Sequence, residues 1–112
     1  MFTDTVGRLT RRADFVLCSK HAWKARKTVV VQLRDRGDDG LPRVGFTASK
    51  KVGNAVARNR AKRRLREAAK AVLVPVAKPG HDYVVVARPD TPTASWQRLL
   101  DDLEKALLTL HG

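Results

Sequence analysis

The chain is short of several things, and each shortage narrows what it can be. It has a single cysteine, Cys18, so it can form no internal disulfide, and nothing in its thiol content points to an oxidising compartment. Long hydrophobic runs are missing: no stretch approaches the ~18 apolar residues of a membrane span, and Met1–Leu9 lacks the apolar region of a secretory signal. The expectation is a cytoplasmic protein with no membrane partner. Repeats and low-complexity tracts are absent too, which excludes a solenoid or a disordered linker. Acidic residues are scarcest relative to their counterparts, 11 Asp plus Glu against 23 Lys plus Arg, giving a net charge of +12. So strong a field in so small a body implies a polyanionic partner.

What is present suffices for one folded unit. With 43% apolar residues in 112, the chain can bury one core without a metal or disulfide, and residues 1–112 are read as a single domain. Cation density peaks over residues 8–27 and 50–70, where Asp14 and Glu67 are the only acids. From Asp90 onward the acids Asp90, Asp101, Asp102 and Glu104 outnumber Arg98 and Lys105. That tail is expected to pack rather than to meet the polyanion.

Local patterns predict the element order α-β-β-(β)-α-β-α, an α+β or α/β sandwich with helices on a small mixed sheet. Thr10 is the expected N-cap of a first helix over 11–21. The β-branched run 28–34 reads as a strand, 35–42 as a polar hairpin loop and 43–49 as its antiparallel mate, with another short strand near 23–27. Asn54 caps a helix reaching about Val74, where Pro75 and the Pro79-Gly80 turn end it. Residues 82–88 form a buried strand. Trp96, Leu99, Leu100, Leu103, Leu107 and Leu110 then recur at helical spacing.

The 54–74 helix carries the chemistry. At about 100° per residue, Ala57, Ala61, Leu65, Ala68 and Val72 form its inner stripe. Arg58, Lys62 and Arg66 make an i, i+4 row beside it, Asn59, Arg63 and Lys70 extend the charged face, and Arg60 and Arg64 project from the other flank. An ordinary solvated face alternates signs at i, i+4, whereas here Glu67 stands alone among repelling cations, so a polyanion must relieve the repulsion. Arginine suits that task because its planar fork grips phosphate oxygens in pairs and does not deprotonate.

The segment from Arg43 to Glu67 reads RVGFTASKKVGNAVARNRAKRRLRE. It resembles the signature of the bacterial ribonuclease P protein subunit, centred on Arg58-Asn59-Arg60, and Arg8-Leu9 with Asp14-Phe15 and the stretch 82–88 agree in the family's order. The resemblance implies a ribonucleoprotein endonuclease that removes the 5′ leader of precursor tRNA, with hydrolysis performed by a catalytic RNA and Mg2+ held mainly by that RNA. It implies that Lys50, Lys51, Asn54, Arg58, Asn59, Arg60, Lys62, Arg63 and Arg66 face the catalytic RNA. It also implies a cleft for the leader between the first helix and the sheet, for which Phe15, Arg8, Arg12 and Lys20 are the candidates, and a left-handed crossover through the basic helix. No catalytic residue or metal site is expected in the protein, which alone would be a monomer.

Two positions depart from the family's aromatic cleft pattern, taken here as Ser19 and Leu33, and core packing and cleft exposure both stay open for Phe15. Trp23 and Trp96 are read as packing residues. His21, His81 and His111 lie far apart and read as surface or turn residues, Asp38 and Asp39 as turn formers, and Cys18 as a small buried hydrophobe. Three rivals are weighed against this reading: a nucleic-acid-binding module with no role in cleavage, a helix lying on anionic membranes, and a protein-only nuclease. The alanine-rich stripe offers little area for membrane insertion. The carboxylate or histidine cluster a protein nuclease needs is not visible.

Overall fold

A computed structural model describes residues 1–112. Along the chain it comprises β1 (Gly7–Arg8), α1 (Arg12–Ser19), β2 (Ala22–Ala25), β3 (Val29–Asp35), β4 (Arg43–Thr47), α2 (Ala55–Val72), β5 (His81–Ala87) and α3 (Trp96–His111). Single 3-10 turns at Lys50–Val52 and Val74–Val76 flank α2. This is a mixed α+β fold, as the sequence pattern predicts, and the extra strand near 23–27 is β2.

The expected hairpin between 28–34 and 43–49 does not form. The sheet order is β1-β4-β5-β3-β2, so β5 lies between the two strands predicted to pair. It runs antiparallel to β3, with Val31 opposite Val85, and parallel to β4, with Gly45 opposite Val84. Burial explains the insertion. β5 reads HDYVVVA with only His81 and Val86 short of full burial, and a strand so apolar gains most at the centre, where both edges are paired and both faces covered. The chain reaches it from β4 through α2, and the 35–42 segment is a loop held across the mouth of β5. There Gly80 donates to the Gly40 carbonyl at 2.7 Å and accepts from the Arg36 N–H at 2.8 Å. Gly80 has φ +74, and a Cβ there would collide with the Asp38 backbone.

Strand alternation divides the sheet into two faces. Val29, Val31, Leu33, Val44, Tyr83 and Val85 turn to one side and join Ala61, Leu65 and Ala68 of α2 with Leu99, Leu103 and Leu107 of α3 in the main core. Of the predicted α2 stripe, Ala61, Leu65 and Ala68 are fully buried, Ala57 and Val72 half-buried, and Ala69 joins them. Three small buried residues let the helix lie close to the sheet, while Leu65 alone contributes about 2 kcal/mol of burial. Asn54 caps α2 as expected, its Oδ1 accepting from the Ala57 N–H at 2.9 Å, worth about 1 kcal/mol. The other face carries α1, where Leu9, Cys18 and Val84 form a small second cluster with Phe15 and Val86 against it.

The start of α1 differs from expectation. Arg11, not Thr10, holds the N-cap position, with extended backbone and no side-chain cap, and the helix ends at Ser19. Docking on the sheet therefore holds this helix, together with Asp14 in its first turn, which lies 3.5 Å from Arg43 and 4.0 Å from Arg34. His111 is also not a free surface residue: its Nε2 meets the Tyr83 hydroxyl at 2.7 Å, and burial, with Lys78 beside it, holds its pKa below the usual histidine value.

Candidate nucleic-acid interface

The cations divide by whether a carboxylate meets them. Arg34, Arg36 and Arg43, around the centre of the sheet, are neutralised internally. Asp82 is fully buried, and the strand register sets it between Arg34 on β3 and Arg43 on β4. Arg43 grips its two oxygens at 2.8 Å each, Arg36 donates at 2.6 Å, and Arg34 stands 3.6 Å away. A carboxylate so buried stands only when its lone pairs are met by such donors. Asp102 does the same for α3: it is buried, accepts from the Thr28 N–H and hydroxyl at 3.1 and 2.7 Å, and meets Arg98 at 3.2 Å and Arg26 at 3.4 Å. Burial would raise its pKa, yet the Thr28 bonds and Arg98 outweigh that and hold it below the usual carboxylate range.

Cations without a carboxylate are densest on α2 and the turn before it, though others, Arg8, Arg12 and Lys20 among them, lie elsewhere. Lys50, Lys51, Arg58, Arg60, Lys62, Arg63 and Arg66 have no carboxylate within 4.0 Å. Lys50, Lys51, Arg60 and Arg63 are exposed, and Arg58, Lys62 and Arg66 are half-buried. Asn59 is exposed among them, while Asn54 is occupied as the helix cap. Glu67 pairs with Lys70 at 3.3 Å and leaves the others alone. Arg64 is the exception: its guanidinium donates to the carbonyls of Thr91 at 2.6 Å and Ala94 at 2.5 Å, tying α2 to the segment before α3. Burial and neighbouring Arg60 both lower its pKa. Spacing alone cannot separate Arg64 from Arg60 or Arg63, because its partners are backbone atoms about thirty residues on.

Beneath α1 lies a cleft lined by Arg12, Phe15, Val16, Ser19, Gln32, Thr47, Val84 and Val86. Phe15 both packs and faces it. The ring rests on Gly45, where a Cβ would fall 2.5 Å from the ring carbons, and its other side stays partly open. Of the remaining candidates, Lys20 follows the end of α1 and is exposed. Arg8 does not reach this cleft; it stands on the edge strand and lines a separate depression with Met1, Arg36 and Arg43. Leu33 is likewise misassigned: it points into the main core, and its neighbour Gln32 lines the cleft. Pairing with Gln32 places Trp23 on that same face at the free edge of the sheet, 63% exposed, so it is not a packing residue. The alternation of an edge strand was the only available signal for it.

Cys18 is fully buried, and burial, with Asp82 nearby, pushes its thiol up to about 12. Asp38 forms its turn, accepting from the Gly40 N–H at 2.9 Å. No helix is long and apolar enough to cross a membrane. Nowhere do three or more His, Cys, Asp or Glu side chains gather as metal ligands.

An α+β body with a face of unneutralised cations and a partly aromatic cleft on the other side of its sheet has the charge and groups of a nucleic-acid-binding protein. Residues 4–111 match the Ribonuclease P family. The chain is 56% identical over 104 residues to the Ribonuclease P protein component of Caulobacter vibrioides, covering 92% of this chain and 70% of that one. With the component from Ruegeria pomeroyi it shares 52% over 107 residues, covering 93% and 86%. Its fold superposes on the RNase P protein of Staphylococcus aureus with a TM-score of 0.72 at 30% identity, covering 92% of this chain and 94% of that one. The corresponding values for the Thermotoga maritima protein are 0.68, 30%, 92% and 93%. The chain belongs to the ribonuclease P protein family, the protein component of the ribonucleoprotein endoribonuclease that matures tRNA 5′ ends, and its partner is the RNA of that enzyme.

Proposed function

We propose that this chain sits on the catalytic RNA through α2 and the Lys50–Val52 turn while the cleft beneath α1 takes the single-stranded 5′ leader of precursor tRNA. One observation carries the first half: seven cations on one rigid face have no internal partner, although the same fold neutralises Arg34, Arg36 and Arg43 thoroughly. Unpaired cations displace counterions from an RNA backbone, and that release lets the RNA compact and hold substrate with less magnesium. Lys50, Lys51, Arg58, Arg60, Lys62, Arg63 and Arg66 supply the charge. Asn59 supplies a hydrogen-bonding group, and Asn54 fixes the helix start.

The leader reading rests on the cleft's chemistry. Phe15 offers a ring face, Arg12 a guanidinium and Gln32 an amide; Lys20 is exposed just beyond α1, and Trp23 is exposed on the sheet face of Gln32. Unpaired bases and phosphates need such groups. On this reading hydrolysis falls to the RNA, which also holds the Mg2+; the free side chains of α2 and its preceding turn are cations, suited to phosphate and not to a divalent metal. Free copies repel one another through their common charge, so the protein alone is a monomer.

The deciding experiment is reconstitution with the RNA subunit from the same organism at low magnesium, following precursor-tRNA cleavage. Addition of the protein should raise the rate well above that of RNA alone. No gain would leave only a nucleic-acid-binding module. For the cleft, Phe15→Ala should weaken holoenzyme binding to precursor tRNA but not to mature tRNA; equal loss on both would remove the leader assignment.

A further inference from the structure

Residues 60, 63, 64 and 67 lie on one stripe of α2, and against that stripe stands Trp96, the first residue of α3; together these five line a shallow, open depression. Helical spacing predicts Trp96 to pack, but its side chain is 43% exposed. No other ring and no cation stacks on the indole. The aromatic pairs are Phe2 with Phe46 and Tyr83 with His111, and the one cation over a ring is Lys70 above Phe2. Trp96 is therefore a large, partly open ring without a stacking partner, beside two guanidiniums, Arg60 and Arg63, that have no carboxylate.

The setting is rigid. Arg64 is fastened to the Thr91 and Ala94 carbonyls, and Ser95 caps α3 by accepting from the Arg98 N–H at 3.2 Å, so the chain on both sides of the indole is fixed. Glu67 puts one carboxylate on the rim and disfavours a continuous run of phosphates there. The depression thus fits a single phosphate beside a flat, uncharged group.

We infer that Trp96, Arg60 and Arg63 form a nucleotide site in which one unpaired base of the catalytic RNA stacks on the indole and its flanking phosphate lies between the two guanidiniums. The inference rests on α2 being the RNA-facing helix and adds a stacking contact to an otherwise electrostatic surface. A π-face accepts every base, so the site selects for an unpaired nucleotide rather than for sequence.

The test uses the full-length protein and the RNA subunit of ribonuclease P from the same organism, comparing Trp96→Ala, Trp96→Leu and Trp96→Phe with the parent by equilibrium binding over a salt series. Stacking on one base predicts about 5- to 100-fold weaker binding for Trp96→Ala and Trp96→Leu, with most of the affinity kept in Trp96→Phe and the salt slope unchanged in all three. Tryptophan emission of the parent should be quenched by RNA, and that quench should vanish in Trp96→Phe. Affinity of Trp96→Ala within about twofold of the parent overturns the inference, as does full affinity in Trp96→Leu, which keeps apolar bulk but has no ring. In those cases salt-dependent binding by the parent leaves the RNA-facing role of α2 intact, whereas a parent whose binding ignores salt overturns both. Circular dichroism melts matching the parent show that the exposed substitution has left the fold unchanged.

Discussion

Arg63→Ala and Arg64→Ala remove the same group from adjacent positions of one helix, and the structure assigns them opposite consequences. Arg63 is exposed and unpaired. If about five of the seven unpaired cations of α2 and its preceding turn reach phosphates, log Kd against log salt has a slope of magnitude about 3.5 to 4.5, and affinity falls roughly 250-fold from about 50 to 200 mM salt. Arg63→Ala should lower that slope by about 0.7 to 0.9 and leave melting within about 2 °C of the parent. Arg64 spends its guanidinium on two carbonyls in a half-buried setting. Its loss should cost about 2 kcal/mol, or about 8 °C in a domain of this size, while the slope changes by no more than about 0.3. The assays are filter retention of the RNA subunit at five salt concentrations and a thermal melt of the protein alone. Equal slope changes in the two variants, or a flat salt response in the parent, would refute the division of cations into free and committed groups.

Three further outcomes follow from other parts of the fold. Asp102→Ala strands the buried Thr28 N–H and hydroxyl and should cost about 3 kcal/mol. Because the folded pKa of Asp102 lies below its unfolded value of about 3.9, the stability its ionised form supplies is complete above that value and fades as pH falls through the folded pKa, so the gap between acid melts of parent and variant should begin to narrow only below about pH 4. Cys18, with its thiol at about 12, should ignore an aromatic disulfide reagent at pH 8 in the native protein and react fully once unfolded; native labelling would contradict its burial. Gly45→Ala puts a methyl group into the Phe15 ring and should loosen α1, seen as faster amide exchange over Arg12–Ser19 and weaker discrimination between precursor and mature tRNA. Unchanged exchange would mean the ring is not seated as described.

Much of the cationic surface was legible because it is local. The α2 stripe, its Asn54 cap and the lack of acids depend on spacing within eighteen residues, and the resemblance around Arg58-Asn59-Arg60 names the family directly. What failed was set by distance. Proximity favoured pairing 28–34 with 43–49, but the most apolar strand arrives only after a helix and takes the centre. A one-residue difference in phase decides whether Leu33 or Gln32 faces the cleft, and strand alternation settles that only once the sheet's two faces are known. Arg64 looked like its neighbours, and Trp96 and Trp23 looked like core, because their surroundings come from segments remote in the chain.

Both ends of α2 run into the middle of the sheet, one from β4 and the other into β5. The helix is thus a strut of eighteen residues, about 27 Å long, clamped at both ends. Its charges keep their separations whatever molecule approaches. A limp strand must give up freedom to match such a ruler, while an RNA already folded to the right spacing loses little, so the scaffold itself favours architecture over composition.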